Sequence, residues 1–561
     1  MGVRGTLVAV SSPSGLSSAR LPAMEAAGSW ASRAEILECF DLGHDPGVSI
    51  AQHLRDALRE AGLPAGPRVP TIERGWNGWL ATFGHSCPAC LSLRHRAVQP
   101  HDWVWVRARP DNVLLDTGDR WPAAGLVPLV GALTRLARDR QANGSWFVPD
   151  EGGIEQLEPL PRPDCALCGG RALRGGDRVP QAPAGSILDA RCGIVTQVER
   201  EVVLVGLTQV TAAGVLPIAP DGQPLRERAD LARGADAHPA LAEAKAVSEA
   251  VERYALLSRP ASPPTHLWPS TARRITTREL WPGATSSEGE SWVPASLLDG
   301  TEVLVPFALV WPTTPPAASG PCVTSNGMAA HPERQHAIEC AVLELIERDA
   351  LLRAWAHRAP ALGPAAPGPV ERAWIDELAE HGVEVRAWHL ASSTGIPVVL
   401  AQGRDVSGTR IPLVVGSAAR PLAPDAVRAA VMEVAGNVMA ELRTGGGQPA
   451  DSPVAEDVRD LEDHVRFYHD PRRWDVLDFL DDTATGGTAS SSTETGVDAC
   501  RRSSIRVAVA DMTPPELDGV LHVVRAMSPD LVPLWFGADR HPRGHSGLPR
   551  ELGHRPPHPF W

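Results

Sequence analysis

The chain has 561 residues, of which 43% are hydrophobic and 21% charged, a balance typical of globular proteins rather than disordered or fibrous ones. The net charge of −14, without any run of Lys or Arg, argues against a nucleic-acid-binding protein. Because no apolar stretch is long enough for a membrane helix and no signal-peptide core precedes residue 20, we expect a cytoplasmic protein that does not bind membranes.

The N-terminal part of the chain is predicted to be mixed helix and loop over residues 1–80, with helical spacing of apolar residues at 34–40 and 50–61. The region from Cys90 to Cys165 has a mostly helical pattern. A proline-rich stretch at 180–184 closes this part. We therefore expect a mixed α/β N-terminal domain over residues 1–185.

Two Cys-x2-Cys pairs lie in this domain, Cys87 with Cys90 and Cys165 with Cys168. Thiolates two residues apart can share one Zn²⁺, and a second pair completes a closed tetrahedral site, which is structural rather than catalytic. Unrelated buried or redox-active cysteines are the alternative. We predict that all four cysteines bind one zinc ion and contribute to folding of the domain.

Residues 186–561 are predicted to form an α+β domain of β-sheets packed with helices. The Ser/Thr/Gly-rich run 483–496 predicts a loop, and the chain ends in a proline-rich tail, 555–561. Helices are predicted at 240–257, 333–355, 370–380 and 425–442, and strands at 202–207, around 210, 303–310, 383–390, 396–401, 412–415, 506–510 and 521–525.

One acidic motif occurs on two of these helices. The sequence Glu249-Ala-Val-Glu252-Arg253 recurs as Glu344-Leu-Ile-Glu347-Arg348, each time among apolar residues. Helix positions i and i+3 are neighbours, so each copy presents two carboxylates side by side. A single copy of such a motif usually lies on the solvated surface of a helix. Carboxylates on a largely apolar helix, however, need a positive partner, and two facing copies would need cations.

Mg²⁺ fits such a four-carboxylate arrangement because it prefers oxygen ligands and is usually shared with phosphates. The helix at 425–442 adds Glu433, with Arg428 five residues before it. Arginines beside the carboxylates would bind phosphate oxygens through two hydrogen bonds. The sequence therefore predicts a site for Mg²⁺ and a nucleotide or another polyphosphate, without a P-loop.

Five ordered segments extend this pattern and cover most of residues 190–561. With them the chain resembles the YcaO family, specifically the ATP-dependent cyclodehydratases that make azoline heterocycles in ribosomal peptides. The segments are Ala244–Tyr254, Thr324–Ala329, Leu343–Ala350, Val507–Thr513 and Gly519–Pro529, the last running on to Gly537.

The resemblance implies ATP and Mg²⁺ as cofactors and assigns roles to individual residues. Paired glutamates bind Mg²⁺ and ATP in the family, an arginine binds the phosphates, and the asparagine of the Ser-Asn-Gly turn belongs to the same site. The C-terminal carboxylate, here that of Trp561, reaches the active site in azoline-forming members and assists proton transfer. The matching residues are Glu249, Glu252, Asn326, Glu344, Glu347, Arg348 and Glu433, with Arg428 near Glu433.

Lys245 is the one lysine beside 52 arginines, and it lies one helical turn before Glu249. A lysine that the family usually carries about ten residues earlier is missing here. We predict that Lys245 replaces it and reaches an ATP phosphate; a surface lysine in water is the alternative.

The resemblance also implies the substrate and the partners. The chain would convert Cys, or Ser and Thr, of a ribosomal precursor peptide to azolines. Residues 1–185 resemble a shortened, degenerate ThiF-like domain, as in cyclodehydratases of actinobacterial thiopeptide pathways. These use a separate ThiF-like protein to bind the leader peptide, and we further expect a downstream dehydrogenase and a homodimer. A YcaO enzyme that forms thioamides or amidines and a non-catalytic YcaO-like scaffold are the alternatives.

Overall fold

The chain divides into two compact units, residues 1–197 with 215–229 and residues 198–214 with 230–561. The four cysteines of the predicted zinc site and Trp561 lie outside the described residues, as do the helices predicted at 34–40 and 50–61. The domain boundary predicted near residue 185 also lies outside them and stays a prediction. The computed structural model describes residues 71–75, 78–82, 145–150, 153–157, 187–188, 193–215, 231–258, 272–284, 290–311, 321, 323–408, 411–444, 452–482, 491–537, 540–553 and 555–560.

The described residues form an α+β structure built from antiparallel sheets and helices. None of the helices within the described ranges is both long and apolar enough to cross a bilayer. The helices are α1 Pro239–Leu257, α2 Thr277–Leu280, α3 Phe307–Val310, α4 Arg334–His357, α5 Pro369–Glu380, α6 Ala423–Thr444, α7 Leu461–Phe467 and α8 Gly496–Arg502. The strands are β1 Thr71–Gly75, β2 Gly78–Thr82, β3 Ser145–Asp150, β4 Gly153–Leu157, β5 Val195–Leu204, β6 Leu207–Gly214, β7 Leu231–Asp236, β8 Trp292–Leu297, β9 Glu302–Pro306, β10 Met328–His331, β11 Gly363–Pro364, β12 Val383–Leu390, β13 Val398–Asp405, β14 Val414–Ala419, β15 Ala508–Asp511 and β16 His522–Met527.

The first unit contains a four-stranded antiparallel sheet in the order β1-β2-β3-β4. Its strands correct two predictions: the end of the mixed helix and loop region is extended, and so is part of the mostly helical region between the cysteine pairs. The aromatic and β-branched run Trp146-Phe-Val148 favours a strand.

The second unit carries three sheets, in the orders β5-β6-β7, β10-β16-β15-β8-β9 and β11-β12-β13-β14. Strands β7, β10 and β14 therefore each stand at the end of a sheet, where one row of backbone N–H groups has no ladder partner. Each of the three is followed along the chain by a long helix, namely α1, α4 and α6. The unit thus contains three strand–helix repeats, each consisting of an edge strand and the long helix that follows it.

Two glycines let helices pack closely on these edge strands. A Cβ atom on Gly234 of β7 would stand 2.1 Å from the carbonyl oxygen of Ala242 in α1. A Cβ atom on Gly416 of β14 would stand 2.5 Å from the carbonyl oxygen of Ala430 in α6. Only glycine permits such an approach, so these residues bring the glutamate-bearing helices against their strands.

Several predicted elements differ in detail from the structure. The strand predicted at 202–207 is instead a hairpin, because Gly206 adopts φ +69° and turns the chain between β5 and β6. The strand predicted at 303–310 ends at Pro306, and the helical turn α3 follows it. The long helices match their predictions within two residues, since their apolar faces are buried along their full length.

The proline-rich tail packs into the core of the second unit. His558 and Phe560 are buried among Trp355, Trp535 and Phe536. The ring of His464 in α7 contacts the His558 carbonyl oxygen through Nδ1 at 3.0 Å, and burial lowers the pKa of His464 to about 4. Both the backbone and the side chains of residues 557–560 are therefore fixed in place.

Candidate functional site

Three glutamates bind the backbone of the edge strand in their own strand–helix repeat. In each case a carboxylate in the helix accepts a hydrogen bond from an N–H group of the strand or of the residue just before it. The sequence separations are 16, 17 and 16 residues. The pairs are Arg233 N with Glu249 Oε2 at 2.7 Å, Gly327 N with Glu344 Oε2 at 3.0 Å, and Ser417 N with Glu433 Oε2 at 2.7 Å.

Two further glutamates connect one repeat to the next. Glu252 of α1 accepts from the N–H of Ala330 in β10 at 2.8 Å. Glu347 of α4 accepts from the hydroxyl of Ser417 at 2.6 Å and from the N–H of Ala419 at 3.2 Å, both in β14. The second carboxylate of each motif thus caps the edge of the following repeat. This brings five carboxylates together in the glutamate cluster, Glu249, Glu252, Glu344, Glu347 and Glu433.

The charges of these carboxylates act on one another. Burial raises the pKa of Glu252 well above its ordinary value, and the neighbouring charges of Glu344 and Glu249 raise it further. Burial likewise raises the pKa of Glu344 to about 7, with Glu347 adding to the shift. The pKa of Glu433 rises to about 7 by burial and by the charge of Glu347. A cation in the cluster would favour the deprotonated carboxylates.

Arg348 lies within the glutamate cluster. Its Nη1 is 3.6 Å from Oε1 of Glu347, its Nε is 4.0 Å from Oε1 of Glu344, and only 14% of the side chain is exposed. Burial alone would lower the pKa of Arg348, but the carboxylates of Glu347, Glu344 and Glu433 raise it above the ordinary value. Its buried Nε has no hydrogen-bond acceptor. The guanidinium therefore keeps a donor available for an anion.

The donor set fits Mg²⁺ together with phosphate oxygens. No group of three or more His, Cys, Asp or Glu side chains within the described ranges is arranged to hold a metal ion. Mg²⁺ usually takes one or two protein carboxylates and completes its shell with water and phosphate oxygens. The pairs Glu249 with Glu252 and Glu344 with Glu347 supply such carboxylates, and Arg348 supplies a donor to phosphate.

Two predicted residues do not join the cluster. Nζ of Lys245 binds Oδ2 of Asp236 at 2.7 Å and the Ala235 carbonyl oxygen at 3.0 Å, because the end of β7 offers these acceptors beside the helix. Nε of Arg428 lies 3.4 Å from Oε1 of Glu371 in α5. Positions five apart on a helix point about 140° apart, so Arg428 faces away from Glu433. In this structure neither side chain lies with the cluster, and the roles predicted for Lys245 and Arg428 at ATP stay predictions.

Other residues of the site were not singled out from the sequence. Ser417 binds two of the glutamates, and the charge of Arg420 lowers the pKa of Glu433 against the effect of burial. Arg525 of β16 is buried, and its pKa falls to about 10 through burial, partly offset by Glu344. The predicted site residue Asn326 is also buried, next to Gly327, which binds Glu344. The signal for Ser417 in the sequence was a run of small residues within β14, Gly416 to Ala419.

Comparison with protein families gives a match over residues 233–532, more than half of the chain, to the model described as YcaO cyclodehydratase, ATP- and Mg²⁺-binding. An uncharacterised protein of Methanothermobacter thermautotrophicus is 28% identical over 223 residues. That alignment covers 36% of this chain and 57% of the relative, so the match spans little more than half of the relative's length.

Among solved structures, one with a TM-score above 0.5 shares the fold. A heterocyclase in complex with substrate and cofactor matches with a TM-score of 0.58 at 17% identity, covering 86% of this chain and 74% of the other. YcaO from Methanopyrus kandleri, bound with AMPPCP and Mg²⁺, has a TM-score of 0.44 at 19% identity, covering 60% of this chain and 86% of the other. Residues 233–532, which match the family model, contain all five residues of the glutamate cluster as well as Arg348, Asn326 and Arg525.

Proposed function

The chain belongs to the YcaO family, and we propose that it is an ATP- and Mg²⁺-dependent cyclodehydratase that converts Cys, or Ser and Thr, of a ribosomal precursor peptide to azolines. One observation carries the proposal: five glutamates come together from three strand–helix repeats, and Arg348 lies beside the carboxylates of Glu344 and Glu347. Burial and neighbouring charges raise the carboxyl pKa values of Glu252, Glu344 and Glu433. Such a cluster is stabilised by divalent cations and a polyphosphate.

Different residues of the cluster would bind Mg²⁺ and the phosphates of ATP. The pair Glu249 and Glu252 and the pair Glu344 and Glu347 would supply carboxylates to Mg²⁺, and the charge of Glu433 acts on Arg348 beside them. Arg348 would donate hydrogen bonds to phosphate oxygens. Ser417 holds two of the carboxylates in position. Mg-ATP would supply the phosphoryl group, and this phosphorylation makes an amide oxygen a good leaving group.

The proposed reaction joins a side chain to the backbone of the peptide. The Cys thiol loses its proton and attacks the carbonyl carbon of the preceding residue, whose oxygen then takes the γ-phosphoryl group of ATP. The C–S bond formed in this attack closes the ring. The oxygen then leaves in phosphate, the amide nitrogen loses its proton, and a C=N bond forms within the ring. The peptide thus loses one water per ring while ATP becomes ADP and phosphate.

The finer assignments rest on the resemblance. We propose a thiopeptide-type pathway, a separate ThiF-like leader-binding protein, a downstream dehydrogenase and a homodimer. We also propose that the carboxylate of Trp561 assists proton transfer. The zinc site of Cys87, Cys90, Cys165 and Cys168 stays a prediction, which metal analysis of the purified protein will test.

The decisive experiment combines the purified chain with its leader-binding protein, precursor peptide and Mg-ATP. Loss of one water per ring with release of phosphate supports the cyclodehydratase. A thioamide product would instead exchange oxygen for sulfur. A scaffold would leave both peptide and ATP unchanged, and failure of the wild-type chain to bind Mg-ATP would overturn the proposal.

A further inference from the structure

A small cavity lies beside the glutamate cluster. Its volume is about 50 Å³, and it is close to Glu344, because Leu345 lines it and Asn326 precedes the glycine that binds this carboxylate. Most of its wall is apolar, while Thr324, Asn326, Arg525 and Ser528 contribute polar groups. The main apolar residues are Leu280, Trp281, Leu309, Leu345, Leu531 and Leu534.

Two buried polar side chains in this wall have unused hydrogen-bonding atoms. Arg525 is only 5% exposed, and its Nη2 donates to the Thr324 carbonyl oxygen at 2.8 Å, while Nε and Nη1 have no acceptor. Asn326 is 8% exposed, and its Oδ1 has no donor. A buried donor or acceptor without a partner destabilises the folded chain, so a ligand that supplies the partner is favoured. Two residues of the largely apolar wall therefore carry two donors and one acceptor that no protein group satisfies.

We propose that this cavity is the subsite for the backbone of the substrate next to the reacting cysteine, with Arg525 donating to a peptide carbonyl oxygen and Asn326 Oδ1 accepting from a peptide N–H. The apolar wall would receive a small apolar side chain of the same segment. This inference rests on the proposed function and adds to it the residues that bind the reacting part of the peptide.

The location of Arg525 favours a peptide carbonyl over a nucleobase. Arg525 donates to the carbonyl oxygen of Thr324, and Gly327, three residues further along the same turn, donates its N–H to Glu344. The charge of Glu344 also acts on the pKa of Arg525. In ATP the base is separated from the γ-phosphate by the ribose and two phosphates, whereas the reacting carbonyl must meet the γ-phosphate directly. A group bound to Arg525 beside Glu344 is thus placed as the acceptor of the phosphoryl group.

The charge of Arg525 would also help the chemical step. When sulfur bonds to the carbonyl carbon, the thiol proton passes to the carboxylate proposed above for proton transfer, and the π electrons of the carbonyl move to its oxygen. A fixed guanidinium facing that oxygen stabilises the negative charge as it develops. Arg525 remains protonated at neutral pH, since its pKa is about 10. It would then be a catalytic residue for the peptide half of the reaction.

Binding measurements on the full chain test the proposal without requiring turnover. The probe is the synthetic peptide acetyl-Gly-Val-Cys-Gly-amide, whose valine methyl signals broaden in NMR spectra when it binds. Mg-ATP affinity is measured separately by calorimetry. The variants are Arg525→Met, Arg525→Lys and Asn326→Ala, and Arg501→Gln is the control because Arg501 is exposed and bonds to Asp498 and Leu298.

We expect Arg525→Met to weaken peptide binding at least about tenfold, with Asn326→Ala and Arg525→Lys also weakened. In Arg525→Met and Arg525→Lys the affinity for Mg-ATP should stay within about twofold of the wild-type value, below the roughly tenfold that 1.4 kcal/mol represents. The melting temperature of Arg525→Met should equal or exceed that of the wild type, because a buried and incompletely paired charge is removed. A merely structural arginine would instead lower it.

Three results would overturn the proposal: no peptide binding by the wild type, unchanged binding by Arg525→Met, or a loss confined to Mg-ATP. The last result would assign the cavity to the nucleotide. A wild-type chain that fails to bind Mg-ATP would instead refute the proposed function, and the peptide titration would still decide the role of Arg525.

Discussion

The two copies of the Glu-x-x-Glu-Arg motif have the same letters and different surroundings. In α1, Arg253 binds Glu249 at 2.6 Å and also donates to the Leu231 carbonyl oxygen, and both charged side chains are about one third exposed. In α4, Arg348 is nearly buried and faces Glu344, Glu347 and Glu433 together. The first arginine is used in an ordinary surface pair, and the second is held in the cluster.

The difference comes from the strand beside each helix. Helix α4 lies against β14, whose Ser417 and Ala419 bind Glu347, and β14 also brings Glu433 on the helix that follows. Helix α1 packs on β7, whose main-chain groups bind Glu249 and Arg253 near the surface. The motif therefore identifies a helix of the site, while its neighbours decide which arginine serves the ligand.

Replacement of the second glutamate in either copy should have the largest effect. Glu252→Gln and Glu347→Gln each remove one negative charge that would bind Mg²⁺ but keep an acceptor for the backbone N–H. We expect ATP turnover to fall at least about 100-fold in both, equivalent to roughly 2.7 kcal/mol, with the fold intact by circular dichroism. Glu333→Gln, in an exposed side chain paired with His336, is the matched control. Normal ATPase activity in both variants would contradict the site.

Replacing the arginine of each motif copy should affect ATP turnover to different extents. We expect Arg348→Gln to reduce ATP turnover about 30-fold or more, because a buried partner of phosphate is lost, whereas Arg253→Gln should change it less than about threefold. Steady-state kinetics on the two variants side by side make the comparison. Equal losses would mean that both arginines bind the ligand.

The pKa values of Glu344 and Glu433 predict how Mg²⁺ stabilisation depends on pH. Both are about 7 in the folded chain, above the ordinary value near 4.3, so the folded state holds more protons in this interval. The contribution of these groups to the free energy of unfolding therefore falls as pH rises from about 4.3 to about 7. Mg²⁺ binds the deprotonated carboxylates and opposes that loss. We expect MgCl₂ to raise the melting temperature more at about pH 8 than at about pH 6.

Glu344→Gln gives the control for this pH dependence. Because it removes one of the two titrating groups, the difference in Mg²⁺ stabilisation between the two pH values should shrink. A stabilisation that is the same at both pH values in the wild type would contradict the assignment of these carboxylates to Mg²⁺.

The smallest effect is expected for Lys245, which is paired with Asp236 and is 47% exposed in its side chain. Lys245→Ala should change the KM for ATP by less than about threefold, the scale of a surface ion pair. The kinetic assay is the same as for the arginines. A loss of tenfold or more would show that the ammonium leaves Asp236 and binds a phosphate, as the sequence predicted.

Sequence patterns located the glutamates of the cluster but not the partners of the long basic side chains. The repeated motif and the apolar periodicity define helices α1 and α4 and the face that carries the carboxylates. Lys245 and Arg428 bind Asp236 and Glu371, which lie on other elements, so no spacing within one helix could identify them. Arg525 stood within a recognised segment, yet only the structure places its guanidinium in a cavity without acceptors for two of its nitrogens.

The capping of β7, β10 and β14 by glutamates has a consequence for protein handling. An exposed sheet edge is a template for pairing with another chain. Here N–H groups of three edge strands donate hydrogen bonds to glutamate carboxylates instead. Alanine at positions 249, 252, 347 or 433 would uncover N–H groups of these edges, whereas glutamine keeps an acceptor for them. Alanine variants should therefore aggregate more readily when the protein is concentrated. A loss of activity in them could then come either from the missing carboxylate or from self-association, and the two causes would not be separable.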